Sequence, residues 1–199
     1  MTIDDFKRLI LNEDFEEILT KILLSNDAKH VGQSSSNYIQ SKLAEKYNIQ
    51  PIDIQLIIVG SAKIGFALAE KRMKDGTTLP RYRPFRPDSD IDIAIISPAI
   101  FEAIWNELGR FASSQLYLPW DSKKLGDYLV CGWLRPDYFP KGKRLRKCDD
   151  WYDTFRFLSS QQRLGRRQIR GGLFYNIEHL KTYQGKALSA CIEFEKLQQ

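Results

Sequence analysis

Two short apolar runs rich in β-branched residues, 54–59 (IQLIIV) and 91–96 (IDIAII), constrain the fold of this chain more than any other feature. They lack helical spacing and have the length of strands. Apolar residues at three- and four-residue spacing flank them, so strands alternate with helices along the chain. Each run also carries unusual punctuation. The first stops at Gly60-Ser61, and the second is opened by Ser89-Asp90 and bears Asp92 as its second residue.

Side chains at i and i+2 of a strand share a face, so the Asp90 and Asp92 carboxylates stand together and can share a divalent cation. A Gly-Ser pair closing a strand marks a strand-to-helix turn. There, free backbone N–H groups and a hydroxyl can hold phosphate. Metal carboxylates on one strand and a phosphate cradle at the end of another are what phosphoryl or nucleotidyl transfer requires. Asp88 faces away if the strand has begun, and is given no metal role.

Other chemistries have little to use. Only His30 and His179 are available as imidazoles, so sites built on histidine ligands are disfavoured. Cys131, Cys148 and Cys191 are odd in number and far apart, which argues for free thiols and against a structural zinc. A chain of 199 residues, 43% apolar, can bury one core. The expected organisation is a single domain over 1–199: a helical elaboration in 1–50, the core motifs in 51–112, and a C-terminal part in 113–199. No apolar run reaches bilayer-spanning length and the N-terminal residues are acidic, so a soluble, cytoplasmic protein with no membrane role is expected.

The net charge is +5, and its distribution matters more than its total. Basic residues cluster at 141–147 (KGKRLRK), at 163–170 (RLGRRQIR), and at Lys71, Arg72, Lys74, Arg81, Arg83 and Arg86. One cluster alone reads as solvated surface; three together favour a polyanionic ligand, a nucleotide triphosphate alone or nucleic acid as well.

Along the chain, Phe6, Ile10, Phe15, Ile18 and Ile22 predict one or two amphipathic N-terminal helices. Ser34 to Ser36 offer caps for a helix ending at Tyr47, and Pro51 opens the first strand. Helical spacing continues over 62–73, and 74–87 is a proline-containing basic loop. Ser97-Pro98 caps a helix from about 99 to 112. The best strand candidate in the aromatic stretch after it is 128–134, and 149–158 reads as a short helix. A third strand is expected at 168–175, where Gly171-Gly172 suggests a bulge or a close backbone approach. Residues 177–197 read as a helix with Leu180, Leu188, Ile192 and Leu197 inward.

Gly60, Ser61, Ser89, Asp90 and Asp92, read as GSAKIGF and SDID, resemble the signature of the DNA polymerase beta superfamily of nucleotidyltransferases, particularly its minimal members. The resemblance covers residues 54–112, and the C-terminal half only by position. It implies an α/β fold with a mixed-sheet core, a nucleoside triphosphate donor such as ATP, two Mg2+ ions and transfer of a nucleoside monophosphate. Asp90 and Asp92 would hold the metals and act in catalysis, with Gly60, Ser61, Lys63 and Ser89 at the donor phosphates.

The chain departs from the family pattern twice. Ser61 and Asp90 are 29 positions apart, more than in the minimal members, which makes 74–87 an insertion. The family also takes a third carboxylate from a later strand, whereas 168–175 carries Arg170 and glycines. Glu178, just beyond that strand, and Asp153, before it, are the candidate third acids. Glu178 can equally cap the last helix, Asp153 can pair with an arginine, and His179 reads as a helix-face residue. The basic clusters turn the expected acceptor toward RNA. A protein hydroxyl, as in nucleotidyltransferases of toxin–antitoxin or phage-defence systems, fits nearly as well. The alternative is a catalytically weakened fold that binds nucleotide or nucleic acid within a larger assembly, and a third reading takes both motifs as incidental to an α/β interaction protein.

Overall fold

The computed structural model describes residues 1–73, 75–140, 142 and 145–198. Lys74 and, from the 141–147 cluster, Lys141, Lys143 and Arg144 lie outside the described residues, as does Gln199. Helix α1 (Ile3–Asn12) opens on a capping box in which Thr2 Oγ1 accepts from the Asp5 amide and the Asp5 carboxylate accepts from the Thr2 amide. Asp14 caps α2 (Phe15–Ile18), which runs on as a π turn over Leu19–Leu23. Helix α3 (Gln33–Tyr47) is capped by Gly32 rather than by Ser34 to Ser36, which fall inside its first turn. Pro51 starts a 3-10 turn, Pro51–Asp53, and strand β1 (Gln55–Val59) follows it.

The helix expected over 62–73 is a single turn. Gly65, at φ 100°, terminates α4 (Ser61–Ile64), and the chain continues as an irregular strap that includes the hairpin β2 (Lys71–Arg72) and β3 (Thr78–Leu79). Phe66 and Leu68 are nonetheless buried, so the apolar spacing there serves core contacts rather than helix formation. The described part of the insertion, 75–87, folds back on this strap: the Tyr82 amide donates to the Ala67 carbonyl and the Phe85 amide to the Gly65 carbonyl.

Strand β4 (Ile91–Ile96) leads through Ser97-Pro98 into α5 (Pro98–Ser113), with the buried Ser97 hydroxyl accepting from the Ile100 amide. Residues 128–130, expected in a strand, complete α6 (Ser122–Val130), and only β5 (Trp133–Leu134) is extended. Helix α7 (Arg146–Ser160), strand β6 (Ile169–Phe174) and α8 (Ile177–Lys196) finish the chain. Leu180 and Leu188 are fully buried in α8, whereas Leu197 is exposed just past its end.

The strands form a mixed sheet in the order β1-β4-β6-β5. Strand β4 runs antiparallel to β1 and parallel to β6, and β5 is antiparallel to β6. One face, with Ile91, Ile93, Ile95 and Leu173, packs on α3, α5 and α7 through Leu43, Ile104 and Trp151. The other, with Ile57, Ala94, Ile96 and Phe174, packs on α1 and α8 through Phe6, Ile10, Leu180 and Leu188. Alternation places Asp92 on this second face. The β4–β6 ladder is continuous through Gly171-Gly172, so these glycines form no bulge. They permit close approach instead: a Cβ on Gly171 would stand 2.2 Å from Phe155 Cζ, and one on Gly172 would stand 3.0 Å from Trp133 Nε1. Among the described residues no helix is long and apolar enough to cross a membrane.

Candidate functional site

The site is built where β1 ends and β4 begins. Antiparallel pairing sets Val59 opposite Asp92, so the next residue, Gly60, turns beside the Asp92 carboxylate. Its backbone, at φ 66° and ψ −148°, lies in a region open essentially to glycine alone. A Cβ there would come within 3.3 Å of Asp92 Oδ2. The Gly-Ser bend and the aspartate strand are therefore in contact. Ser61 follows as the first residue of α4.

Asp92 reaches solvent on its open side. Its carboxyl is held above its ordinary value first by desolvation against the protein, then by the negative charge of Asp90, with Arg170 and Lys71 pulling the other way. The Asp90 charge acts on Asp92 because the two aspartates stand only two positions apart in the chain. Asp90 is in turn held by the Arg170 guanidinium at 3.0 Å. Strand register puts Arg170 directly opposite Asp92. The position that would deliver a third carboxylate thus delivers a cation.

Neither candidate third acid reaches this end of the sheet. Because β6 is parallel to β4, its Phe174 end lies beside Ile96, about 13 Å of strand away from Asp92. Glu178 follows that far end, ion-paired to Lys181 at 3.1 Å in a groove shared with Phe15 and Leu19. Asp153 is exposed on α7 and pairs with Arg156 at 3.1 Å. His179 packs its ring over the Gly132 backbone, which has φ 64°. Among the described residues no group of three His, Cys, Asp or Glu side chains could hold a metal ion.

Lys63 also departs from expectation. It is buried and turned inward, donating to the carbonyls of Ser25 and Asp27 and to Ser25 Oγ at 3.0 Å. Burial lowers its amine to about 8 despite the opposing Asp27 charge. Lys63 therefore ties the 25–27 segment to α4 and does not face the Gly60 bend. The Ser89 hydroxyl accepts from the Arg86 amide at 2.9 Å, closing the turn that feeds β4.

One member of the third basic cluster and one residue that local patterning does not single out complete the surroundings. Lys71, on the β2–β3 hairpin, supplies positive charge felt by Asp92. The Tyr183 hydroxyl of α8 is raised mainly by burial, with the Asp92 charge adding to the rise and Arg135 opposing it. Only the hairpin and the return of α8 across the sheet bring Lys71 and Tyr183 to Asp92.

Magnesium is commonly held by one or two protein carboxylates, with substrate phosphates and water filling its octahedron. Asp90 and Asp92 could serve in that way for one ion. Among the described residues no third carboxylate joins them to hold a second. In comparisons with protein families, with curated proteins and with solved structures, the chain matches none.

Proposed function

We propose that the protein is a magnesium-dependent nucleotidyltransferase. It would move a nucleoside monophosphate, AMP as the leading candidate, from a nucleoside triphosphate to a hydroxyl on RNA or on a protein. The observation that carries this reading is the contact between Gly60 and Asp92, which joins a side-chain-free bend to a same-face pair of carboxylates. In it, Asp90 and Asp92 hold the ion. Gly60 leaves room for the donor phosphates, and Ser61 offers a hydroxyl and amide at the start of α4. Lys71 and Arg170 supply cationic charge to a polyphosphate at that end of the sheet. Bound magnesium would neutralise phosphate charge and favour in-line displacement. A cytoplasmic setting goes with this reading, as do the three free cysteines.

The test is transfer of label from α-labelled nucleoside triphosphates. Transfer is expected in the intact protein and lost in the variant carrying Asp90→Ala plus Asp92→Ala; transfer that survives both substitutions removes the reading.

The ion pair between Arg170 and Asp90 favours a second reading, a catalytically weakened nucleotidyltransferase fold that binds nucleotide within a larger assembly. Nucleotide binding with no turnover across all four triphosphates would select it.

A further inference from the structure

Beside the aspartate strand lies a seam of unpaired positive charge built around two supported planar groups. The His30 ring stacks on Phe85, centroids 4.4 Å apart and 21° from parallel, while the Arg167 guanidinium lies 4.9 Å from the same ring. A few residues along, the Arg163 guanidinium lies 4.0 Å over Tyr38. His30 and Arg163 are themselves exposed, so each presents a flat group whose inner side is fixed by an aromatic ring. Desolvation and the charges of Lys29 and Arg167 lower the His30 pKa, which leaves its ring neutral at pH 7 and suited to stacking rather than to pairing.

The cations around these platforms are not neutralised by carboxylates. Among the described residues, none of Lys29, Arg86, Arg163, Arg166 and Arg167 is ion-paired. Arg167 also fixes the seam to the site by donating to the Arg86 carbonyl at 2.7 Å and the Ser89 carbonyl at 3.4 Å, one residue from Asp90. Asp88 is the one acid in that turn.

We propose that this seam binds single-stranded nucleic acid, RNA in the first instance, and leads the end of the strand to Asp90 and Asp92 as the acceptor. The proposal rests on the nucleotidyltransferase reading for the fate of that end, but the surface stands on its own geometry. Unpaired bases stack on histidine rings and on arginine planes, and a row of unpaired cations neutralises the phosphates between them. A double helix keeps its bases stacked internally and has no use for such platforms. An acidic protein segment would use the charges but not the flat groups.

Fluorescence anisotropy with a fluorescein-labelled single-stranded RNA oligonucleotide, titrated over a range of salt, tests this. The full chain is expected to bind, with affinity falling as salt rises. Arg86→Ala plus Arg166→Ala should lower the magnitude of the logarithmic salt slope by about 1.4, at ~0.7 per phosphate contact on a single strand. His30→Ala should weaken binding about fivefold or more with the salt slope unchanged, because it removes stacking and no charge. Lys123→Ala plus Lys124→Ala, which removes exposed cations of α6, is the control and should leave binding as it was.

Equal losses in the control and seam variants, a His30→Ala affinity equal to the parent's, or duplex RNA bound as tightly as the single strand would each overturn the proposal. Nucleotide transfer to another acceptor without RNA binding would also end it and leave the transferase reading intact. RNA binding through the seam without any nucleotide transfer would end that reading and keep the surface.

Discussion

The Arg170 guanidinium lies 3.0 Å from the Asp90 carboxylate, while its own backbone pairs across the ladder with Asp92. One residue therefore neutralises one aspartate and stands at the sheet position next to the other. Under the proposed function, this resident cation would compete with the divalent ion for the aspartates.

Arg170→Ala is accordingly expected to tighten divalent-ion binding roughly three- to tenfold. The gain is limited because the arginine is 58% exposed and its charge is screened by water. Arg170→Glu, which places a carboxylate at the vacant register, should tighten binding further. Titration calorimetry with Mn2+ measures both, and unchanged affinity in the two variants would show that Arg170 does not govern the ion.

Asp92 links the site to stability. Its folded-state pKa is raised, so between the ordinary carboxylate value and that raised value the native state binds more protons than the unfolded chain. Stability therefore falls as pH rises through that window, and at neutral pH the charged Asp92 burdens the ion-free fold. Asp92→Asn should raise the melting temperature without Mg2+ at pH 7, lose most of that advantage below the carboxylate range, and abolish the stabilisation that the proposed function expects of Mg2+ with ATP in the parent protein. Calorimetric melting at two pH values checks all three.

Gly60 and Lys63 are three positions apart but have different work. Gly60→Ala forces a side chain into a glycine-only conformation and toward Asp92, which should cost about 1–3 kcal/mol and eliminate Mg2+-dependent ATP binding. Lys63→Met leaves the Ser25 and Asp27 carbonyls without their buried donor. It should cost about 1–3 kcal/mol in urea unfolding while the folded protein keeps its ATP affinity. A loss of ATP affinity in Lys63→Met, measured where the variant is fully folded, would return Lys63 to the phosphate site.

Gly171→Ala should destabilise the fold by about 1–3 kcal/mol, because the added methyl meets the Phe155 ring edge in a packed core. Phe155→Leu in the same chain should recover part of that loss by vacating the space. The double-variant unfolding cycle reads the coupling directly.

Features governed by near neighbours in the chain were legible before any coordinates. The β-branched runs became β1 and β4 and Ser97-Pro98 capped α5, since each depends on contacts a few residues long. The apolar spacing of 62–73 misled because a helix and an irregular strap can bury the same residues; the left-handed Gly65 chose the strap. Residues 128–130 likewise joined a helix, where Leu125 and its neighbours supply the amphipathic face. What amino-acid order could not reveal was pairing direction and register. The parallel alignment of β6 on β4 sent Glu178 to the far end and set Arg170 beside Asp92, while the β2–β3 hairpin and α8 brought the Lys71 and Tyr183 side chains to where they interact with the Asp92 charge. Those outcomes come from burying both sheet faces at once, a long-range requirement that no window of the chain contains.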